Sequence, residues 1–442
     1  MRTSHVVPGF AAAAALLLAA CGGGAAPAAS APAPASSAAA KPSVAASAVA
    51  SAKPVASAAA SASAKPAASP KPTATTLPVV ATDTTQVALT KIAIPPIAGK
   101  TLSADIMEVD QATHRLYVTD RTSGGIDVFD TSASPAKYMT TLKTKGDPNG
   151  VVVAANVKKL LVGEGNNANP AGSPGQSTIG IIDITDPASP KVLAELDAGG
   201  KKRADEVDYD PNTKKGLVAN SDDQFVTIVD MDKNTIVKKI DLPGGGLEQP
   251  RYNPVDKMMY LTGSEDNVLY QFDLSKDAMV KKTEIVDPCN PNGIAINPTL
   301  NIAVLGCSNT KQQHLAIWDF KTSKVTSTID KAGACDGDIY DAKANKFFVA
   351  CSNFFRGGQL SIVNGDGSFF TNVPTAVGSH GVGYDEGTNT VFTQDQLPNE
   401  GVLFAFTVPA TAGGGAAAKP AASGAASAKP ATSGAASAKP SA

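Results

Sequence analysis

The chain has 442 residues, of which 38 are basic and 40 acidic. Eight of the basic residues and none of the acidic ones fall outside Asp83–Pro409, so that stretch carries a formal net charge of −10. An acidic balance argues against a nucleic-acid binder, which needs a basic footprint, and favours cations, sugars or proteins as partners.

In chain order, "MRTSHVVPGFAAAAALLLAAC" combines a basic start at Arg2, an apolar run too short to span a bilayer, and small residues before Cys21. That pattern predicts an export signal over residues 1–20. Leu18-Ala19-Ala20-Cys21 also resembles the lipobox of bacterial lipoproteins. The resemblance implies cleavage before Cys21, lipidation of its thiol and attachment to a membrane, at the cell surface or in the periplasm. Residues 21–82 are almost entirely Ala, Pro, Ser and Lys, and residues 410–442 repeat "GAASAKP". Neither segment can bury a core, and both read as disordered spacers. No second apolar segment is long enough to cross a membrane.

The central region, 83–409, repeats itself in shape. "RLYVTDRTSGGIDVFD" (Arg115–Asp130) returns as "KGLVANSDDQFVTIVD" (Lys215–Asp230), and seven copies are anchored at Leu116, Leu160, Gly216, Met259, Ala303, Phe347 and Val391. The gaps are 44, 56, 43, 44, 44 and 44 residues, the long one holding "GNNANPAGSPGQS". A period in the forties built of strand-like runs predicts an all-β fold, a seven-bladed β-propeller with four strands, A to D, per blade. The fifth copy reads GIAIN, IAVLGC, HLAIWDF and KVTSTID. Turns opening on Asp or Asn separate A from B. Asp130, Asp183, Asp230, Asp273 and Asp319 end strand C, where they read as caps of the C-to-D turn, with Asn364 and Thr407 in their place later. The seventh copy stops after strand C, so Thr84–Pro95 is expected to close the ring as its strand D.

These segments resemble the YVTN-type (YncE-like) β-propeller repeat, in which a Tyr-Val-x-Asn-like strand precedes a glycine-containing turn and a Val-x-Val-x-Asp strand. The resemblance covers Thr84–Pro409, apart from the missing strand-C Asp in the last two copies. It implies a propeller whose relatives range from surface and binding proteins to lactonase-like enzymes.

Counting eleven residues back from each anchor gives Asp105, Asn149, Asp205, Glu248, Asn292, Asp336 and His380, all polar. These are expected to ring one mouth of the central channel. Four residues forward lie Asp120, Glu164, Asn220, Gly263, Cys307, Cys351 and Asp395, expected beside them. Oxygen ligands in such number suit Ca²⁺ or Mg²⁺, with Asp205, Glu248 and Asp336 as candidate metal ligands, or orient a hydroxylated ligand; a merely hydrated channel mouth is the plainer alternative. The reading that follows is a binding or scaffolding module for a protein or carbohydrate. The competing enzyme is a metal-dependent lactonase-like hydrolase with His380 as the catalytic proton carrier. His114 is expected to be exposed in an A-to-B turn, and His314 to approach the rim. Trp318 suits either blade packing or, with Phe354, Phe355 and Arg356, a recognition surface. Among three possible pairings of the four remaining cysteines, Cys289–Cys307 and Cys335–Cys351 repeat one intrablade staple, with a four-thiolate metal site as competitor.

Overall fold

Short runs of alternating apolar and polar residues, punctuated by Asp- or Asn-led turns, leave the chain one economical way to bury its apolar faces: small twisted sheets stacked side by side. The computed structural model describes residues 83–165, 177–352, 357–375, 378–394 and 397–411. Cys21, the signal and spacer segments, most of the 165–177 insertion, Phe354, Phe355, Arg356 and Asp395 lie outside the described residues.

The described residues form seven four-stranded antiparallel sheets, a seven-bladed β-propeller. Blade 5 is typical, with strand A at Pro291–Asn297, B at Ile302–Cys307, C at His314–Asp319 and D at Lys324–Ile329. The A strands of successive blades touch one another around the axis, and that of blade 7 (Val382–Asp385) touches that of blade 1 (Ala104–Asp110). D strands are the exposed outer edges, as in Thr235–Asp241. The ring closes as expected: Thr90–Ala93 pairs antiparallel with Val402–Ala405 and supplies the fourth strand of blade 7.

Seven apolar clusters fill the seven interfaces between neighbouring blades. All seven anchor residues are buried within them or beside them, at the second position of strand B. The turn chemistry is equally regular. Asp110 accepts the Ala112 amide at 3.0 Å, Asn253 that of Val255 at 3.0 Å and Asn297 that of Thr299 at 2.9 Å. The last residue of each A-to-B turn has positive φ: His114, Lys158, Lys214, Lys257, Asn301, Asn345 and Asn389. The five strand-C aspartates cap the C-to-D turns, accepting the amides of Ser132, Thr185, Asp232, Ser275 and Lys321. Both intrablade staples are present, Cys289–Cys307 and Cys335–Cys351. Pairing excludes the four-thiolate metal site.

Candidate functional site

Strand A carries a register irregularity near its start in five blades, for example between Ala104 and Met107, Leu247 and Pro250, and Cys335 and Asp338. A bulge bends the strand and re-aims the side chains at it. Asp105, Asn149, Glu248, Asn292 and Asp336 sit at these bulges, whereas Asp205 and His380 lie two residues before the A strands of blades 3 and 7, Val207–Asp210 and Val382–Asp385. The residue after each one leans on the next blade, so closely that four blades carry glycine there. A Cβ at Gly293 would lie 2.2 Å from the Asp336 carbonyl oxygen, and one at Gly381 2.1 Å from that of Asp105. In the other three blades the position holds Ile106, Glu206 and Gln249. Gln249 is explained by the backbone: its Oε1 accepts the Ile294 and Asp338 amides at 2.8 and 3.3 Å.

The ring is a network of charges. His380 Nδ1 lies 3.2 Å from Asp105 Oδ1 and 3.4 Å from Asp336 Oδ2. Arg121 pairs with Asp105 and donates from Nε to Asn149 Oδ1 at 2.8 Å, while Asn149 Nδ2 donates to the Ala204 carbonyl at 2.9 Å. Asp205 meets Arg203 at 2.9 Å and accepts from the Ser221 hydroxyl at 2.6 Å. Glu248 Oε1 accepts from Ser264 at 3.0 Å. Asn292 is half-buried, and its backbone carbonyl accepts from Thr262 at 2.6 Å. Burial disfavours charge on His380, but Asp105 and Asp336 outweigh it and lift the imidazole to about 10. Burial would likewise raise Asp105, yet His380 and Arg121 hold it below the ordinary carboxylate range. Burial lifts Asp205 to about 7 despite Arg203, with Asp105 adding to the rise. Glu206 and Glu248 are pushed well above the usual range by burial and then by Asp336 and Asp205.

Of the residues four beyond the anchors, Asp120, Glu164, Gly263, Cys307 and Cys351 pair across from the residue that precedes a ring position, but the polar side chains among the described ones turn away from the ring. Asp120, Glu164 and Asn220 are fully buried on blade faces. Asp120 accepts the Thr122 amide at 2.7 Å; Glu164 accepts the Thr178 hydroxyl at 2.7 Å and the Gly146 amide at 3.0 Å; Asn220 bonds Thr227 at 3.2 Å. The pleat is the reason, since neighbouring strand residues point to opposite faces. One residue further on, Arg121, Ser221 and Ser264 are the side chains that reach the ring. Arg203 and Glu206 were also missed by position counting; the run "KKRADE" places both beside Asp205 and was the available signal.

The remaining candidates are accounted for by packing. His314 is fully buried and bonded through Nε2 to Asp287 at 2.5 Å, whereas an approach to the rim was expected. His114 is partly covered, with Nδ1 3.0 Å from Asp385 of the neighbouring blade. Trp318 packs in the cluster between blades 4 and 5. Further along the A strands a cavity of about 270 Å³ is lined by Glu108, Asp208, Arg251, Tyr252 and Tyr340. Arg251 Nη2 donates to the Asp338 carbonyl there at 2.8 Å, and the Val153 amide donates to Glu108 Oε2 at 2.8 Å.

No family model matches the chain, and a search of curated proteins also finds no match.

Proposed function

We propose that the chain is an exported, lipid-anchored propeller of the YVTN type, which binds a partner at the cell envelope through the mouth ringed by Asp105, Asn149, Asp205, Glu248, Asn292, Asp336 and His380. The observation that carries this reading is convergence. Side chains from blades far apart in sequence meet in one hydrogen-bonded, mixed-charge network, as with His380 between Asp105 and Asp336. A concave site with fixed polar groups is the usual form of a recognition site. The lactonase-like alternative asks His380 to accept a proton. Asp105 and Asp336 instead flank its Nδ1 and raise the imidazole to about 10, so at neutral pH it already carries the proton it would have to accept. The Leu18–Cys21 motif supports the lipid anchor.

The reading is tested in intact cells with a photo-crosslinking amino acid at Asn292, in the ring, or at Val286, 98% exposed and outside it. Crosslinking to one discrete partner from position 292 and not from 286 is expected, in the membrane fraction, with Cys21→Ser releasing the protein from that fraction. Equal capture from both positions overturns the binding site, and membrane retention of the Cys21→Ser protein overturns the anchor.

A further inference from the structure

We propose that Glu206, Glu248 and Asp336 bind one Ca²⁺ ion at the ringed mouth of the channel. Ligand atoms of these three residues lie within 4.8 Å of one another. They come from blades 3, 4 and 6, so only ring formation brings them together.

Glu206 is the observation that separates this cluster from an ordinary acidic rim. Its side chain stands where four of the other blades have glycine. It is only 4% exposed, and no hydrogen bond or ion pair to its carboxylate is found among the described residues. The largest charge effects on it come from Asp336, Asp205, Asp105 and Glu248, all acids. Asp336 contributes a second orphan: Oδ2 faces His380, while Oδ1 is buried without a partner. Glu248 uses Oε1 to accept from Ser264.

The nearby cations are placed on other groups. Arg121 pairs with Asp105, Arg203 pairs with Asp205, and His380 spans Asp105 and Asp336. This is why Glu206, rather than Asp205, completes the set with Glu248 and Asp336. A buried carboxylate without a donor is costly, and a bound cation is the compensation three converging carboxylates can share. All the donor atoms are carboxylate oxygens, which selects a hard cation over zinc or copper. Two oxygens on one Ca²⁺ ion can stand up to about 5 Å apart, and calcium accepts irregular coordination completed by water, whereas Mg²⁺ demands a tighter octahedron. The proposal names a ligand for the mouth and so rests on its reading as a binding site.

The test is calorimetric titration of the purified full chain, stripped with chelator, with Ca²⁺ alone, accompanied by thermal melts. One ion per chain is expected, with Kd on the order of 10⁻⁵ to 10⁻³ M, and a melting temperature that rises with calcium. Glu206→Gln should weaken binding at least tenfold and, in chelator, melt above wild type because the crowding of carboxylates is relieved. Glu248→Gln should weaken binding similarly, whereas Asp127→Asn, remote from the cluster, should leave it unchanged. Absence of saturable binding by wild type up to about 5 mM, well beyond the range expected of extracellular calcium modules, overturns the site. Equal weakening by Asp127→Asn overturns it too. A flat titration with position-292 crosslinking intact removes the cation alone, while equal crosslinking from 292 and 286 removes the binding site.

Discussion

Two carboxyls share the buried interior of blade 1, and their chemistry is visible in how they are held. Asp127, fully buried in strand C, accepts the Thr141 hydroxyl at 2.5 Å through Oδ1, and its carboxyl hydrogen-bonds to that of Asp120. Burial, then the neighbouring charge of Asp120, lifts it to about 8 against the opposing effects of Thr141 and Lys143. An unfolded aspartate loses its proton near pH 4. Between about pH 4 and 8 the folded chain therefore holds a proton that the unfolded chain has released, and stability falls as pH rises through that window. Asp127→Asn keeps the shape and removes the titration. Its stability relative to wild type should increase with pH by up to about 1.4 kcal/mol per unit. Urea denaturation at pH 5 and pH 7.5 checks this; a constant difference between the two proteins would mean that Asp127 titrates alike folded and unfolded.

The strand and its turns form the next scale, where the A-to-B turns carry a recurring strain. Each ends in a left-handed residue, and Lys257, exposed with φ at 60°, is one of three lysines in that position. A side chain costs roughly 1 kcal/mol in this region and glycine does not. Lys257→Gly should therefore stabilise the protein by about 0.5–1 kcal/mol in urea denaturation, and a loss of stability would show that the turn is unstrained. This scale also separates what the sequence makes legible from what it hides. Blade period, turn aspartates, the Cys289–Cys307 and Cys335–Cys351 staples and the closing strand all follow from local patterns repeated at fixed offsets. The ring positions were legible for the same reason. Asp120 and Glu164 stand across from the start of strand A yet face the blade interior, because a count along a strand does not keep track of its pleat, and one residue separates a channel-facing side chain from a core-facing one. Glu206 and Arg203 depend on how bulged strands from different blades approach the axis, which no single repeat encodes.

Closure decides how the molecule behaves as a whole. In an open array each blade would contact only its neighbours, and unfolding could begin at an end and spread. Here the first described strand is inserted beside the last: Ile92 and Ile94 are buried, and the Ile94 amide donates to the Gly401 carbonyl at 2.9 Å. The cluster they join also contains Leu116 and Phe129 of blade 1 and Phe392 and Leu403 of blade 7. Ile94→Ala leaves the backbone bond and removes buried apolar volume, at a cost of about 2–5 kcal/mol. Where that cost is felt distinguishes two kinds of ring. The single tryptophan, Trp318, reports on blade 5, across the ring from the closure, while far-UV circular dichroism reports on all the strands. A ring that unfolds as one unit shifts both transitions to lower denaturant by the same amount. A circular dichroism loss that precedes an unmoved Trp318 transition would mean that blades 7 and 1 open on their own, and that closure holds an end in place without coupling the blades.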